Sequence, residues 1–384
     1  MKIVKRLFQL NLPRGRSAFL WGPRKVGKSY WIRHSLPHVP VVDLLKTDVF
    51  ADYASRPSLI RERFQNHKGL IVLDEIQRVP ALLDEVHWLI ENRGLSFLLT
   101  GSSARKLRRG HANLLGGRAW RKTMVPLSVL ETEGFNLERV MVAGLLPPHY
   151  LSPEPLEDLR AYVADYLKEE IAAEALIQNV PSFSEFFQVA AISSSELLNY
   201  VNVARETGVS HRTVRTYFDI LEDTYLGFRI PPWKKSRNRR MIVTEKFYLF
   251  DVGIANYLKK KEIKDLSGED AGRSLEHFIL MELIAYIEIS DKDFEINYWR
   301  TKTGLEVDFI LGEGDVAIEV KIKKEVHKQD IKGLIAFKEE NPKCTCYVIS
   351  QDPRPRKMTI ENIGEIFILP YKEFLDRLWN DKIV

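Results

Sequence analysis

Cysteine is nearly absent: Cys344 and Cys346 are the two among 384 residues, and both sit in the alternating run CTCYVIS, where they read as same-face residues of a strand. Two thiols cannot build a disulfide framework or a zinc ribbon. Long hydrophobic runs are missing too, since none approaches the ~20 residues that span a bilayer. The opening MKIVKRLFQLNLPRGR has neither a long apolar core nor a small-residue cleavage site, so a cytoplasmic protein with no membrane partner is expected. Acids are absent from three stretches: before Asp43, from Ser102 to Lys122, and across PWKKSRNRR at 232–240. Basic clusters of this kind suit a polyanion, nucleic acid above all, although charged runs are also ordinary solvated loops.

What remains is the composition of a folded protein, 45% hydrophobic and 28% charged, with room for two or three domains. In SAFLWGPRKVGKSYWIR a short apolar strand runs into Gly22, Pro23, Arg24, Lys25, Val26, Gly27, Lys28 and Ser29, then a helical segment opening at Tyr30. This is G-x-x-x-x-G-K-[ST] in its required strand-to-helix setting. Backbone N–H groups cradle phosphates there, Lys28 reaches the outer phosphates and Ser29 ligates Mg2+, so ATP with magnesium is the expected cofactor. GLIVLDEIQ supplies a second strand that delivers Asp74 to the metal shell and leaves Glu75 to polarise a water. LSFLLTG ends in a polar run whose Ser102 could sense the γ-phosphate. Arg118, after two glycines, could act as a finger into a neighbouring subunit, hold a DNA phosphate, or pair with an acid.

Farther on, 155–180 carries apolar residues at helical spacing. The segment from Ser193 to Leu226 reads as a helix-turn-helix, with Ala204, Gly208 and Val214 at suitable spacing and a second helix from His211 to about Glu222. His211, Arg212 and Arg215 lie on its early exposed turns, where DNA contacts are made. The strand, basic loop and strand that follow have the layout of a wing, adding Lys234, Lys235, Arg237, Arg239 and Arg240 as DNA contacts.

GLEVDFILGEGDVAIEVKIKK, residues 304–324, reads as a hairpin. With Glu313-Gly314 as a two-residue loop, Gly312 pairs with Asp315, Asp308 faces Glu319 and Glu306 faces Lys321. Period two puts all four charged groups on one face. Facing carboxylates need a cation between them; a divalent ion with a lysine beside it meets that need, and so does a solvated face with a Glu306–Lys321 pair.

The ordered set WGPRKVGKS, IVLDEIQ, LLTGSSARKL, LLGGRAW with VPLSVLE, FYLFDVGIANYL and EVDFIL…AIEVK resembles the prokaryotic AAA+ ATPases with a C-terminal DUF4143 domain. The resemblance covers nearly the whole chain. It implies an α/β protein: a P-loop AAA+ ATPase core at 1–135, a helical lid at 136–185, a winged helix-turn-helix at 186–262, and a restriction-endonuclease-like α/β domain of PD-(D/E)xK type at 263–384. In it Asp308 and Glu319 bind magnesium, Lys321 steadies or activates a water, and Glu276, with Glu282 as a weaker substitute, supports the metal shell. The function implied is ATP hydrolysis coupled to remodelling of, or translocation along, double-stranded or branched DNA, by a homo-oligomer such as a hexameric ring. Alternatives are an ATP-regulated DNA-binding switch whose nuclease-like domain does not cut, and a signalling ATPase with a protein partner.

Overall fold

A computed structural model describes residues 4–13, 15–103, 105, 107, 115–167, 180–235 and 239–384. The first unit is a five-stranded parallel sheet of β1 (Ser17–Trp21), β2 (Val41–Asp43), β3 (Leu70–Asp74), β4 (Ser96–Thr100) and β5 (Ala119–Thr123), in the order β2-β3-β4-β1-β5. SAFLW and SFLLT are buried along their whole length, because helices cover both faces of a parallel sheet. The order puts β4 between β1 and β3, so the carboxyl ends of three adjacent strands open on one crevice, where α/β sheets bind ligands.

Short helices follow at Leu137–Ala143, Pro147–Leu151 and Pro155–Ala161, then a π-helical turn at Tyr162–Leu167 and a helix at Val180–Ile192. The rest of the expected lid, 168–179, lies outside the described residues, as does Arg237.

A helix at Tyr200–Thr207 ends at Gly208, whose φ of 65° is the left-handed C-cap conformation glycine tolerates. Ser210 then accepts from Thr213 N and caps the helix His211–Asp223. Three short antiparallel strands, β6 (Glu196–Leu197), β7 (Gly227–Ile230) and β8 (Lys246–Leu249), make a sheet in the order β6-β8-β7.

The segment between β7 and β8 is docked at both of its ends on the C-terminal sheet. Trp233 N donates to Tyr298 O at 2.6 Å, Tyr298 N to Pro231 O at 3.1 Å and Ile242 N to Arg300 O at 2.9 Å. Pro231 to Trp233 and Arg240 to Ile242 thus lie along β9 (Ile296–Arg300), the edge of the C-terminal sheet, whose unpaired backbone groups need such a partner.

That sheet adds β10 (Glu306–Leu311), β11 (Val316–Val320), β12 (Thr345–Ser350), β13 (Arg356–Ile360) and β14 (Gly364–Pro370), in the order β13-β14-β12-β11-β10-β9. The long helix Gly268–Ser290 packs on one face and Lys332–Glu340 on the other. One apolar cluster runs from Leu127, Val140 and Tyr150 of the first unit to Phe278, Leu283 and Ile318, so the core is continuous across that junction. Among the described residues no helix is long and apolar enough to cross a membrane.

Candidate functional site

The first concentration of chemistry lies at the carboxyl ends of β1, β3 and β4. Gly22 has φ 145°, and a Cβ there would stand 2.2 Å from Met124 O, so only glycine lets the loop leave β1 beside the next strand. Gly27, at φ 101°, turns the loop into the helix Lys28–Ser35. Lys28 Nζ donates to Gly22 O at 2.6 Å and Pro23 O at 3.1 Å. Ser29 Oγ donates to Asp74 Oδ2 at 3.0 Å, and Thr100 Oγ donates to the other oxygen of the same carboxylate.

Glu75 is buried at φ 62°, a strained backbone for a side chain of this kind. Its carboxylate accepts from the Gln77 amide at 2.5 Å, and that amide reaches Ser102 Oγ at 3.3 Å. Gln77, which the sequence reading gave no role, therefore stands between two residues it singled out.

These groups meet a cavity of about 500 Å³ lined by Arg24, Lys25, Gly27, Lys28, Ser29, Tyr30 and Glu75. Its far side is apolar: Val4, Leu45, Pro147, Pro148 and Leu151. Arg6, which also lines the cavity, ties the loop down, donating to Glu131 at 2.8 Å, to Val125 O at 2.8 Å and to Val26 O. No sequence signal marked Arg6 or the proline wall, because each becomes relevant only through contacts with distant segments. Arg118 is exposed and paired with Glu91, one of the three fates left open for it.

The second concentration lies on the hairpin β10–β11. Phe309 pairs with Ile318, Ile310 with Ala317 and Leu311 with Val316, which is the expected register. The turn differs. Asp315 N donates to Leu311 O at 3.2 Å and Gly312 N to Glu295 O at 3.0 Å, so Gly312 and Asp315 do not exchange the bonds of a two-residue loop. Gly312 turns instead toward the strand end on its other side.

Between Val307 and Ile310 the pairing with β9 shifts by one residue, a bulge at Asp308 and Phe309. Bulges re-aim a side chain, and Asp308 Oδ2 accepts from Val320 N at 2.8 Å across the hairpin. Glu319 is held by Lys321, and its Oε2 is buried with no hydrogen-bond partner. The solvated-face alternative is corrected: Glu306 pairs with Lys246 and Arg300, not Lys321, and Asp308 and Glu319 are buried.

Glu276 enters from the long helix, accepting from Tyr248 O–H at 2.5 Å and Lys246 Nζ at 3.2 Å. Glu282 does not approach. It accepts from Val129 N and Trp379 Nε1, both at 2.9 Å, and joins the first unit to the C-terminal helix. Gly333 brings the helix Lys332–Glu340 against β10; a Cβ there would lie 1.7 Å from Glu306 O. The resulting cavity, about 620 Å³, is lined by Lys246, Glu276, Arg300, Glu306, Asp308, Glu319 and Lys321, with Gln329 at its rim.

Burial, then the Glu319 charge, pushes the Asp308 carboxyl well above its ordinary value. Burial likewise pushes Glu319 up to about 7, with Lys321 opposing. Burial alone would lower Lys246, but the surrounding acids, Glu276 first, hold it well above the usual lysine value. Two desolvated carboxylates side by side retain a proton unless a cation joins them. Among the described residues no cluster of three or more His, Cys, Asp or Glu has the arrangement of a metal site. The orphaned Glu319 oxygen beside Asp308 fits one added divalent cation between two carboxylates.

Three family models tile the chain: an AAA domain at residues 14–133, a domain of unknown function (DUF8612) at 134–265, and a domain of unknown function (DUF4143) at 271–374. This chain belongs to the AAA-domain proteins that carry a C-terminal DUF4143 domain. An uncharacterized protein of Mycobacterium tuberculosis is 25% identical over 306 residues, 77% of this chain and 68% of that protein. One of Methanocaldococcus jannaschii is 21% identical over 356 residues, 83% of this chain and 77% of that protein. Among solved structures, the Aeropyrum pernix ORC2 protein in its ADP form aligns at a TM-score of 0.28 and 12% identity, over 70% of this chain and 88% of that one.

The nucleotide motifs fall inside the AAA match, and the four acids of the nest inside the DUF4143 match. Lys246 comes from the DUF8612 span. The basic residues offered for DNA divide. His211, Arg212 and Arg215 are exposed, Arg215 lying over the Tyr200 ring at 4.8 Å. Lys234 and Arg240 are exposed, whereas Lys235 pairs with Glu313 at the surface. Arg239 has partners within the fold: it pairs with Glu339 and Glu340 and donates to Ala336 O, on the helix Lys332–Glu340.

Proposed function

We propose that this protein hydrolyses ATP and couples the turnover to remodelling of, or movement along, DNA. The convergence of Lys28, the Ser29–Asp74 pair and Glu75 on one cavity carries the reading. Backbone N–H groups of the loop and the helix N-terminus receive the phosphates, and Lys28 gives up its carbonyl partners for the outer ones. Ser29 and Asp74 hold Mg2+, which screens the phosphate charge when bound. Glu75, released from Gln77, takes the proton of the attacking water, while Ser102 and Thr100 face the phosphate end. The apolar wall of Pro147, Pro148 and Leu151 suits the adenine ring. Arg118 exchanges Glu91 for the phosphates of a neighbouring subunit in a homo-oligomer.

His211, Arg212 and Arg215 on the capped helix His211–Asp223 contact DNA, and the surrounding helices and β6–β8 make a winged-helix unit. The C-terminal domain is nuclease-like: Asp308 and Glu319 hold a divalent cation beside a phosphodiester, and Lys321 orients the water. Lys246 amid the acids favours a second reading, a DNA platform that does not cut.

The test is incubation with plasmid, forked and four-way DNA in Mg2+, with and without ATP, using the wild type, Lys28→Ala and Glu319→Ala. DNA-stimulated ATP turnover lost in Lys28→Ala, and cutting lost in Glu319→Ala, are expected. Binding without cutting selects the platform. DNA affinity that ignores salt removes the phosphate contacts, because counterion release makes such binding steeply salt-dependent.

A further inference from the structure

Three carboxylates of the C-terminal cavity share one ammonium group. Lys246 Nζ lies 2.5 Å from Glu306 Oε1, 3.2 Å from Glu276 Oε1 and 3.8 Å from Asp308 Oδ1, with its side chain 4% exposed. Arg300 holds the other oxygen of Glu306 at 3.0 Å. On the far side of Asp308, Glu319 is engaged by Lys321 through one oxygen, and its second is orphaned. The cavity is thus divided: Lys246 fills one half, and the other retains an unmet demand for positive charge. Asp308 stands in both halves.

Lys246 is not a loose surface arm. Its backbone pairs with Leu197 on one side and Ile230 on the other, and its ammonium lies 5.6 Å from the centre of the Tyr298 ring. A divalent cation drawn to Asp308 and Glu319 meets this fixed charge at close range, where poor solvation leaves the repulsion weakly screened.

We infer that Lys246 is the resident counter-ion of the acidic nest, and that it sets the affinity of the nest for a divalent cation by competing for Asp308. The inference rests on the reading of Asp308 and Glu319 as a cation site. A residue outside the DUF4143 match thereby governs a site inside it.

Mn2+ binding to the nucleotide-free full chain, followed by the electron paramagnetic resonance of the free ion, tests this. Lys246→Met keeps the stem and removes the charge; Lys246→Arg keeps the charge; Lys246→Met with Glu276→Gln removes one acid as well, and serves if the single variant fails to fold. Mn2+ should bind the methionine variants at least ten-fold more tightly than the wild type, Lys246→Arg should stay near the wild type, and adding Glu319→Ala should abolish the gain. Glu319-dependent binding of equal strength with and without Lys246 overturns the inference and leaves the cation site standing. Absence of Glu319-dependent binding in every variant overturns the cation site and the inference together.

Discussion

The nucleotide cavity and the acidic nest both bury carboxylates, yet they satisfy them by opposite means. In the first, Asp74 accepts from the hydroxyls of Ser29 and Thr100, Glu75 accepts from the Gln77 amide, and Lys28 spends its protons on carbonyls of Gly22 and Pro23. In the second, Glu276, Glu306 and Glu319 are held by Lys246, Arg300 and Lys321. Neutral donors can be exchanged for a charged ligand at modest cost, because no ion pair has to break. A pocket stocked with its own cations gives one up only by leaving a buried charge unpaired. The first arrangement suits a ligand that comes and goes at every turnover; the second suits a site held in check.

The contrast is open to attack by substitution. Lys28→Ala should reduce ATP hydrolysis to background in a phosphate-release assay, with DNA affinity in the absence of nucleotide unchanged; a parallel loss of DNA binding would mean that the two sites are not separable. Lys246→Ala should lower the unfolding free energy by about 3–5 kcal/mol in urea, since it strands carboxylates in a buried pocket. A loss below ~1 kcal/mol would show that water already compensates those acids.

Glu282 extends the comparison to a buried carboxylate with no cation at all. Burial pushes it up to about 8, against an ordinary 4.5, so the folded state binds its proton more tightly than the unfolded state. Its contribution to stability is full below pH ~4.5 and is lost as pH rises through ~8. Glu282→Gln should flatten the fall in unfolding free energy between those values, and an unchanged slope in urea titrations would assign it to other groups. The smallest effect belongs to Arg118→Ala. Its pair with Glu91 is a solvated surface pair, screened by water, so the melting temperature should barely move. If the residue acts in a neighbour's site, the concentration dependence of ATP hydrolysis should disappear with it.

The nucleotide residues were legible because their chemistry is local. Gly22 to Ser29 is one unbroken stretch, and Asp74 and Glu75 stand side by side at the end of one strand, so periodicity and a turn motif placed them. The hairpin register was equally legible, because period two allows few pairings that bury Phe309 and Ile318 in one layer and Ile310 and Ala317 in the other; the bulge was not, and it sends Val307 to the layer opposite Phe309. Nor was the turn of the hairpin, since Gly312 N takes its partner from Glu295, just before β9. The partners of the basic segment were hidden for a related reason: a sheet edge and the acids Glu339 and Glu340 lie within its reach but far from it in the chain.

By itself, then, the sequence determined the elements whose partners are near in the chain: the phosphate loop, the helix starting at His211, and a hairpin in its register. Only tertiary structure decided which charges neutralise which. Lys246, Arg6, Gln77 and Glu282 acquire their meaning from groups on distant segments. Coulomb energy and desolvation depend on separation in space and exclusion of water, and neither quantity is written in the spacing of residues along a chain.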